Sequence, residues 1–164
     1  MRKASPFILV AAAFVAAGST RAALASGEAL VFAVSAQQAP SGLSSAEVRQ
    51  IFLGRVTRWK GGRRIALGIR PAATEAGREF FDRVVHMSEI DFTQHWLGII
   101  FRGEAPVSPR LLKSSQDVKQ FLIKDGGGLA FLLSSEVTAK DSGIRVLLLD
   151  GARADERSYP FRLP

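Results

Sequence analysis

Three residues with anion-binding side chains follow one another at intervals of four: Arg70, Thr74 and Arg78. The pattern after Thr74 predicts the start of a helix, where free N–H groups and the positive end of the helix dipole attract anions. A guanidinium and a hydroxyl beside such a helix start can bind an oxyanion. We therefore expect an anion site here. Two plainer interpretations stay open, since Thr74 would serve equally as an N-cap and Arg78 could pair with Asp82.

A second candidate is a stretch of positive charge. Between Val48 and Thr74 the sequence has seven arginines and lysines and no acidic residue. Such asymmetry attracts anions or acidic partners. The alternative is a solvated turn in which Trp59 packs into the core. The residues that form the expected basic face are Arg55, Arg58, Lys60, Arg63 and Arg64.

The sequence offers little for catalysis. It has no cysteine, and its two histidines, His86 and His95, fall on different predicted helices at a spacing that does not suit a metal. No GxSxG nucleophile setting occurs, and the glycines at 126–128 follow a helix instead of preceding one, so they indicate a turn. We expect no enzyme activity, no metal and no cofactor.

The first 25 residues have the pattern of a secretory signal peptide. Arg2 and Lys3 precede a 12-residue apolar run from Phe7 to Gly18, and Ala23-Leu24-Ala25 supplies small residues for cleavage. An uncleaved membrane anchor is the alternative. Removing this segment takes away three of the 22 basic residues and none of the 15 acidic ones, so the net charge falls from +7 to +4. Export and this modest charge argue against nucleic-acid binding.

Four helices and four strands are predicted to position these residues. Helix starts are indicated by Ser44 with Glu47, by Thr74 or Glu75, by Ser88 with Asp91, and by Ser114 or Ser115. Strands are predicted at 28–36, 64–70, 127–133 and 144–150. The predicted domain covers residues 26–151, and the proline-containing tail 152–164 is expected to be loosely attached. The order of elements predicts an α/β fold: a three-layer sandwich of helices around a mixed, partly parallel sheet.

The stretch LSSAEVRQIFLGRVTRWKGG resembles a segment of the phosphate ABC transporter substrate-binding proteins. Phe80, Trp96, Phe101-Arg102-Gly103 and GGLAFLL follow in the family's order, so that the resemblance runs from about Val31 to Leu149. Full-length members of the family are roughly twice as long and have two lobes. The resemblance therefore implies that this chain forms a single lobe of the type 2 periplasmic-binding-protein fold. In the family's Arg-x-Asp-x-Ser-Gly-Thr loop, Arg70 and the hydroxyl of Thr74 match. The aspartate, glycine and threonine are replaced by Ala72, Glu75 and Ala76.

The resemblance implies an exported, periplasmic, non-catalytic protein that binds phosphate or another small oxyanion weakly through Arg70 and Thr74. A membrane transporter is the implied partner. The alternative is a ligand-less accessory or sensory module that presents the basic face to an acidic protein. A homodimer would be one way to replace the missing lobe.

Overall fold

A computed structural model describes residues 27–37 and 40–164, so the predicted signal peptide lies outside the described residues. The described strands are β1 (Leu30–Ser35), β2 (Gly42–Leu43), β3 (Ala66–Ile69), β4 (Arg110–Leu111), β5 (Gly128–Leu133), β6 (Ile144–Val146) and β7 (Leu148–Leu149). The α-helices are α1 (Ser45–Phe52), α2 (Glu75–Glu79), α3 (Glu89–Phe101) and α4 (Ser115–Lys124). A π-helical segment, Phe80–Val85, continues α2, and a short 3-10 helix, Ser134–Glu136, follows β5.

The main sheet is mixed. Its order is β4-β3-β5-β1-β6; β3 pairs in parallel with β4 and β5, whereas β1 is antiparallel to β5 and β6. The central strands β1 and β5 are buried along their whole length, as their continuous apolar sequences predict. The short strands β2 and β7 pair separately in parallel.

Helices cover both faces of the sheet, which confirms the predicted three-layer sandwich. On one face Phe131 of β5 stacks on Phe80 at 4.3 Å between ring centroids, and Phe80 contacts Phe52 of α1 and Phe92 of α3. On the other face Phe121 of α4 lies against Gly68 of β3, where a β-carbon would approach the ring to 3.1 Å. The core is therefore built around phenylalanine rings on one side of the sheet.

The predicted helix starts are confirmed by their hydrogen bonds. The Ser44 hydroxyl accepts from the Glu47 amide at 3.1 Å, while the Glu47 carboxylate accepts from the Ser44 amide at 2.8 Å. Ser88 and Ser114 cap α3 and α4 by accepting from amides three residues on. These bonds satisfy amides that lack intrahelical partners.

Trp59 is part of the architecture. Its ring is buried, and its Nε1 donates to the carbonyl of Gly127 at 3.0 Å. The same carbonyl accepts from the Ala66 amide at 3.2 Å, so the hairpin around 58–64 is fastened to the turn before β5. The turn interpretation of both Trp59 and the glycine run is confirmed.

The C-terminal segment 152–164 differs from the loosely attached tail that we expected. Tyr159 and Phe161 are buried, and the Tyr159 hydroxyl donates to the Leu30 carbonyl at 3.1 Å. Arg83 donates to the Arg162 carbonyl at 2.7 Å. Two aromatic side chains in the core hold this segment in place, despite its prolines and charges.

No helix among the described residues is long and apolar enough to cross a membrane.

Candidate oxyanion site

The predicted anion site lies where two parallel strands end. Arg70 follows the last residue of β3, and Glu136 closes the short helix that follows β5. Because β3 and β5 are parallel neighbours, their carboxyl ends lie at the same edge of the sheet. This edge is where α/β sheets usually bind ligands.

Arg70 is the most buried of the three predicted anion-site residues. It is 7% exposed, although it is charged. Its Nη1 donates to both carboxylate oxygens of Glu136 at 3.1 Å, so the guanidinium is neutralised inside the chain. Its Nε is buried and has no hydrogen-bond partner among the described residues. A buried donor without an acceptor costs free energy, so this N–H is an unsatisfied group of the described structure.

Thr74 acts as the N-cap of α2. Its hydroxyl accepts from the Gly77 amide at 3.1 Å and donates to the Pro71 carbonyl at 2.8 Å. The N-cap interpretation is therefore confirmed, and the hydroxyl already donates its hydrogen bond within the chain. The next two amides, those of Glu75 and Ala76, have no acceptor in the described parts of the chain, as expected for the first turn of a helix.

Gly77 lets the turn fold tightly onto α2. A β-carbon there would lie 1.9 Å from the Pro71 carbonyl oxygen and 2.9 Å from that of Arg70. No side chain fits in this space. The glycine thereby fixes the distance between the end of β3, which carries Arg70, and the start of α2.

Two glutamates complete the site, and sequence reasoning missed both. Glu136 holds Arg70 and also accepts from the Leu133 amide at 2.9 Å. Glu89, at the start of α3, accepts from the Ala72 amide at 2.8 Å. The only available signal for Glu136 was its place just after a predicted strand. The chain's own carboxylates thus occupy donors that an external anion would need.

Arg78 lies apart from these contacts. It is exposed in the last turn of α2, and its side chain makes no ion pair with Asp82 or with any other residue that the structure describes. The i,i+4 ion pair of this region joins Glu79 to Arg83 instead, at 3.4 Å. Arg78 is therefore a solvent-exposed charge outside these contacts.

The basic face is solvent-exposed at all five residues. Arg55 donates to the Gln50 side chain at 3.2 Å and Arg58 to the Gly62 carbonyl at 2.8 Å. Arg63 lies over Gly126, where a β-carbon would meet its guanidinium. No acidic side chain pairs with these residues in the described structure. The positive charge of this surface is therefore not neutralised by ion pairs within the described residues.

The histidines have local roles. His86 Nδ1 lies 2.8 Å from the Asp82 carbonyl, and His95 Nε2 lies 2.9 Å from the Leu53 carbonyl. Within residues 27–37 and 40–164, no group of histidine and acidic side chains is arranged to hold a metal ion.

No family model and no curated protein matches this sequence. Among solved structures, the chain is similar to a protein from Clostridium perfringens described as a phosphate ABC transporter substrate-binding protein and solved with bound phosphate. The TM-score is 0.60 at 16% identity, over 79% of this chain and 48% of that one. For an ABC-type phosphate transport receptor from Vibrio cholerae the TM-score is 0.59 at 13% identity, over 79% of this chain and 49% of that one. For PstS from Borrelia burgdorferi the TM-score is 0.57 at 14% identity, over 77% of this chain and 49% of that one.

The chain therefore spans about half the length of these solved proteins. At such low identity the comparison shows the fold, which is one lobe of a periplasmic-binding-protein fold.

Proposed function

We propose that this chain is an exported, non-catalytic binding protein that takes phosphate or a similar oxyanion weakly at the turn between β3 and α2. The observation that carries the proposal is the buried Arg70, whose Nε has no acceptor among the described residues, at the carboxyl end of β3. The fold is shared with proteins described as phosphate-binding, one of them solved with phosphate. Export to the periplasm rests on the signal-peptide pattern of residues 1–25.

In this proposal the ligand binds between the Arg70 guanidinium and the amides of Glu75 and Ala76, which have no acceptor among the described residues. Charge-assisted hydrogen bonds to Nε and to helix-terminal amides are the usual means of holding an oxyanion. Thr74 contributes by holding the turn, since both hydrogen bonds of its hydroxyl are made within the chain. Arg78 adds only long-range attraction.

The affinity is expected to be low because of competition from inside the chain. Glu136 neutralises Arg70, and Glu89 occupies the Ala72 amide. An incoming anion meets these two carboxylates and the exposed Glu75 at close range, and like charges at such distances cost several kcal/mol before solvent screening.

A transporter in the membrane would be the natural recipient of the ligand. This partner follows from the description of the neighbours as transport proteins, and the basic face is the surface we assign to such a contact. A ligand-less module that uses the basic face against an acidic protein is the competing function.

The test is an NMR titration of the protein with phosphate and then with sulfate. We expect saturable shifts in the Arg70 Nε–H resonance and in the Glu75 and Ala76 amides. Arg70→Lys keeps the charge beside Glu136 but removes Nε, so it should abolish these shifts, while Arg157→Lys in the exposed tail should not. Absence of shifts up to millimolar anion would reject the oxyanion site and favour the ligand-less module.

A further inference from the structure

Helix α3 has an apolar face that nothing in the described structure covers. Ile90, Leu97 and Phe101 are 70%, 48% and 87% exposed. Their spacings of seven and four residues bring them onto one stripe, because an α-helix turns 3.6 residues per turn. The opposite side of the same helix buries Phe92, Trp96 and Ile99 in the core. Helix α3 is thus apolar on two sides, and only one of them packs against the rest of the described structure.

The stripe continues onto the edge of the main sheet. Leu111 of the edge strand β4 is 50% exposed, and Val107 in the preceding loop is 65% exposed. Leu97 and Leu111 line a common cavity of about 170 Å³ with Pro109. We call the surface formed by the three α3 residues with Val107 and Leu111 the α3 face. Its five apolar side chains are 48–87% exposed, which corresponds to a surface on the order of several hundred Å², the size of the largest patches on soluble monomers.

We propose that the α3 face binds a second copy of this chain, with the two α3 helices antiparallel across a two-fold axis. In that arrangement Ile90 of one copy packs on Phe101 of the other, and the two Leu97 side chains lie near the axis. A two-fold interface requires a surface that is complementary to itself, and a stripe with apolar residues at both ends and near its middle meets this condition.

Charge at the helix ends favours this direction. The first turn of α3 carries Glu89 and Asp91, whereas Arg102 caps its C-terminal end and the last turn has no acidic residue. Antiparallel pairing places each acidic first turn beside the Arg102 of the other copy and aligns the helix dipoles favourably. Arg102 already contacts Glu104, but both side chains are more than half exposed, and such pairs contribute little.

The area of the α3 face indicates how stable such a dimer would be. Several hundred Å² on each copy is the size that weak, transient interfaces bury, so we expect a dimer that dissociates on dilution.

The first experiment is sedimentation equilibrium of the purified protein from micromolar to submillimolar concentration. We expect a monomer–dimer equilibrium. Phe101→Ser should weaken dimerisation by at least about tenfold, because each copy loses a buried aromatic contact. Ile123→Ser removes an apolar side chain that is 57% exposed from α4, outside the α3 face, and serves as the control that should leave the equilibrium unchanged.

A charge exchange tests the antiparallel direction. Asp91→Lys and Arg102→Asp should each weaken the dimer several-fold, and the double variant should regain it, since both contacts are then reversed together. A monomer at every concentration, a dimer that Phe101→Ser leaves intact, or a double variant that stays monomeric would each overturn the proposal. Binding of the monomer to lipid vesicles through Phe101 would likewise replace it with a membrane surface.

Discussion

Glu136 is expected to limit the affinity of the candidate oxyanion site, and replacing it with glutamine should strengthen anion binding. The carboxylate lies 3.1 Å from Arg70 Nη1, so an oxyanion held by the same guanidinium would lie beside it. Glutamine keeps a carbonyl oxygen that can accept from Arg70 and from the Leu133 amide. Glu136→Gln therefore removes one negative charge while retaining the shape and most hydrogen bonds.

The size of the effect follows from the distance between the charges. Two unit charges about 4 Å apart interact by about 4 kcal/mol at an effective dielectric constant of 20. The Glu136 side chain is 23% exposed, so solvent and ions reduce this repulsion. We expect Glu136→Gln to make the free energy of phosphate binding about 1–2 kcal/mol more favourable, which corresponds to a roughly five- to thirtyfold higher affinity.

The assay is the same phosphate titration, followed at Arg70 Nε and at the Ala76 amide. Glu156→Gln, at an exposed position in the tail, changes the net charge equally and measures the general electrostatic effect. Urea unfolding should show a loss of about 1–3 kcal/mol in the free energy of unfolding for Glu136→Gln, since Arg70 loses an ionic partner. An unchanged or lower affinity in a folded Glu136→Gln protein would refute the idea that this carboxylate competes with the ligand.

Three further predictions concern stability. Tyr159→Phe should lower the free energy of unfolding by about 1 kcal/mol. Burial raises the pKa of Tyr159 in the folded protein, so the wild type should lose stability as pH rises above about 10. Urea titrations should show a smaller loss for the variant, which lacks the hydroxyl. Ser44→Ala should lower the free energy of unfolding by about 1 kcal/mol. The Ser44 amide holds the pKa of Glu47 below its usual range, so the stability from this capping box should be lost as pH falls through that lowered pKa. Acid unfolding would measure the loss. Gly77→Ala should cost several kcal/mol in thermal unfolding, whereas Gly61→Ala, with open space around it, should cost little.

Local interactions explain what the sequence could predict. The capping boxes connect residues three apart, so Ser44 with Glu47 is visible as a pattern before any fold is known. The π-helical continuation of α2 and the two-residue strand β4 leave no comparable pattern, and β4 falls just after a segment that reads as loop. Strand β4 exists because β3 offers it a pairing edge.

Long-range pairs explain what remained hidden at the candidate site. Arg70 and Glu136 are 66 residues apart, and Ala72 and Glu89 are 17 apart. Only the parallel pairing of β3 with β5 brings the first pair together. Arg70 and Thr74 could be proposed as site residues from the local sequence pattern, whereas their internal partners depend on the sheet order.

The C-terminal segment has a consequence for the connectivity of the fold. The Leu163 amide donates to the Glu28 carbonyl at 2.7 Å, and Ala29 forms an antiparallel bridge with Arg162. The two ends of the described domain are therefore neighbours, and a short linker between them would close the backbone into a near-continuous ring. A circular permutant opened between the exposed residues 139 and 140 should keep all its core elements, because none of them would be cut.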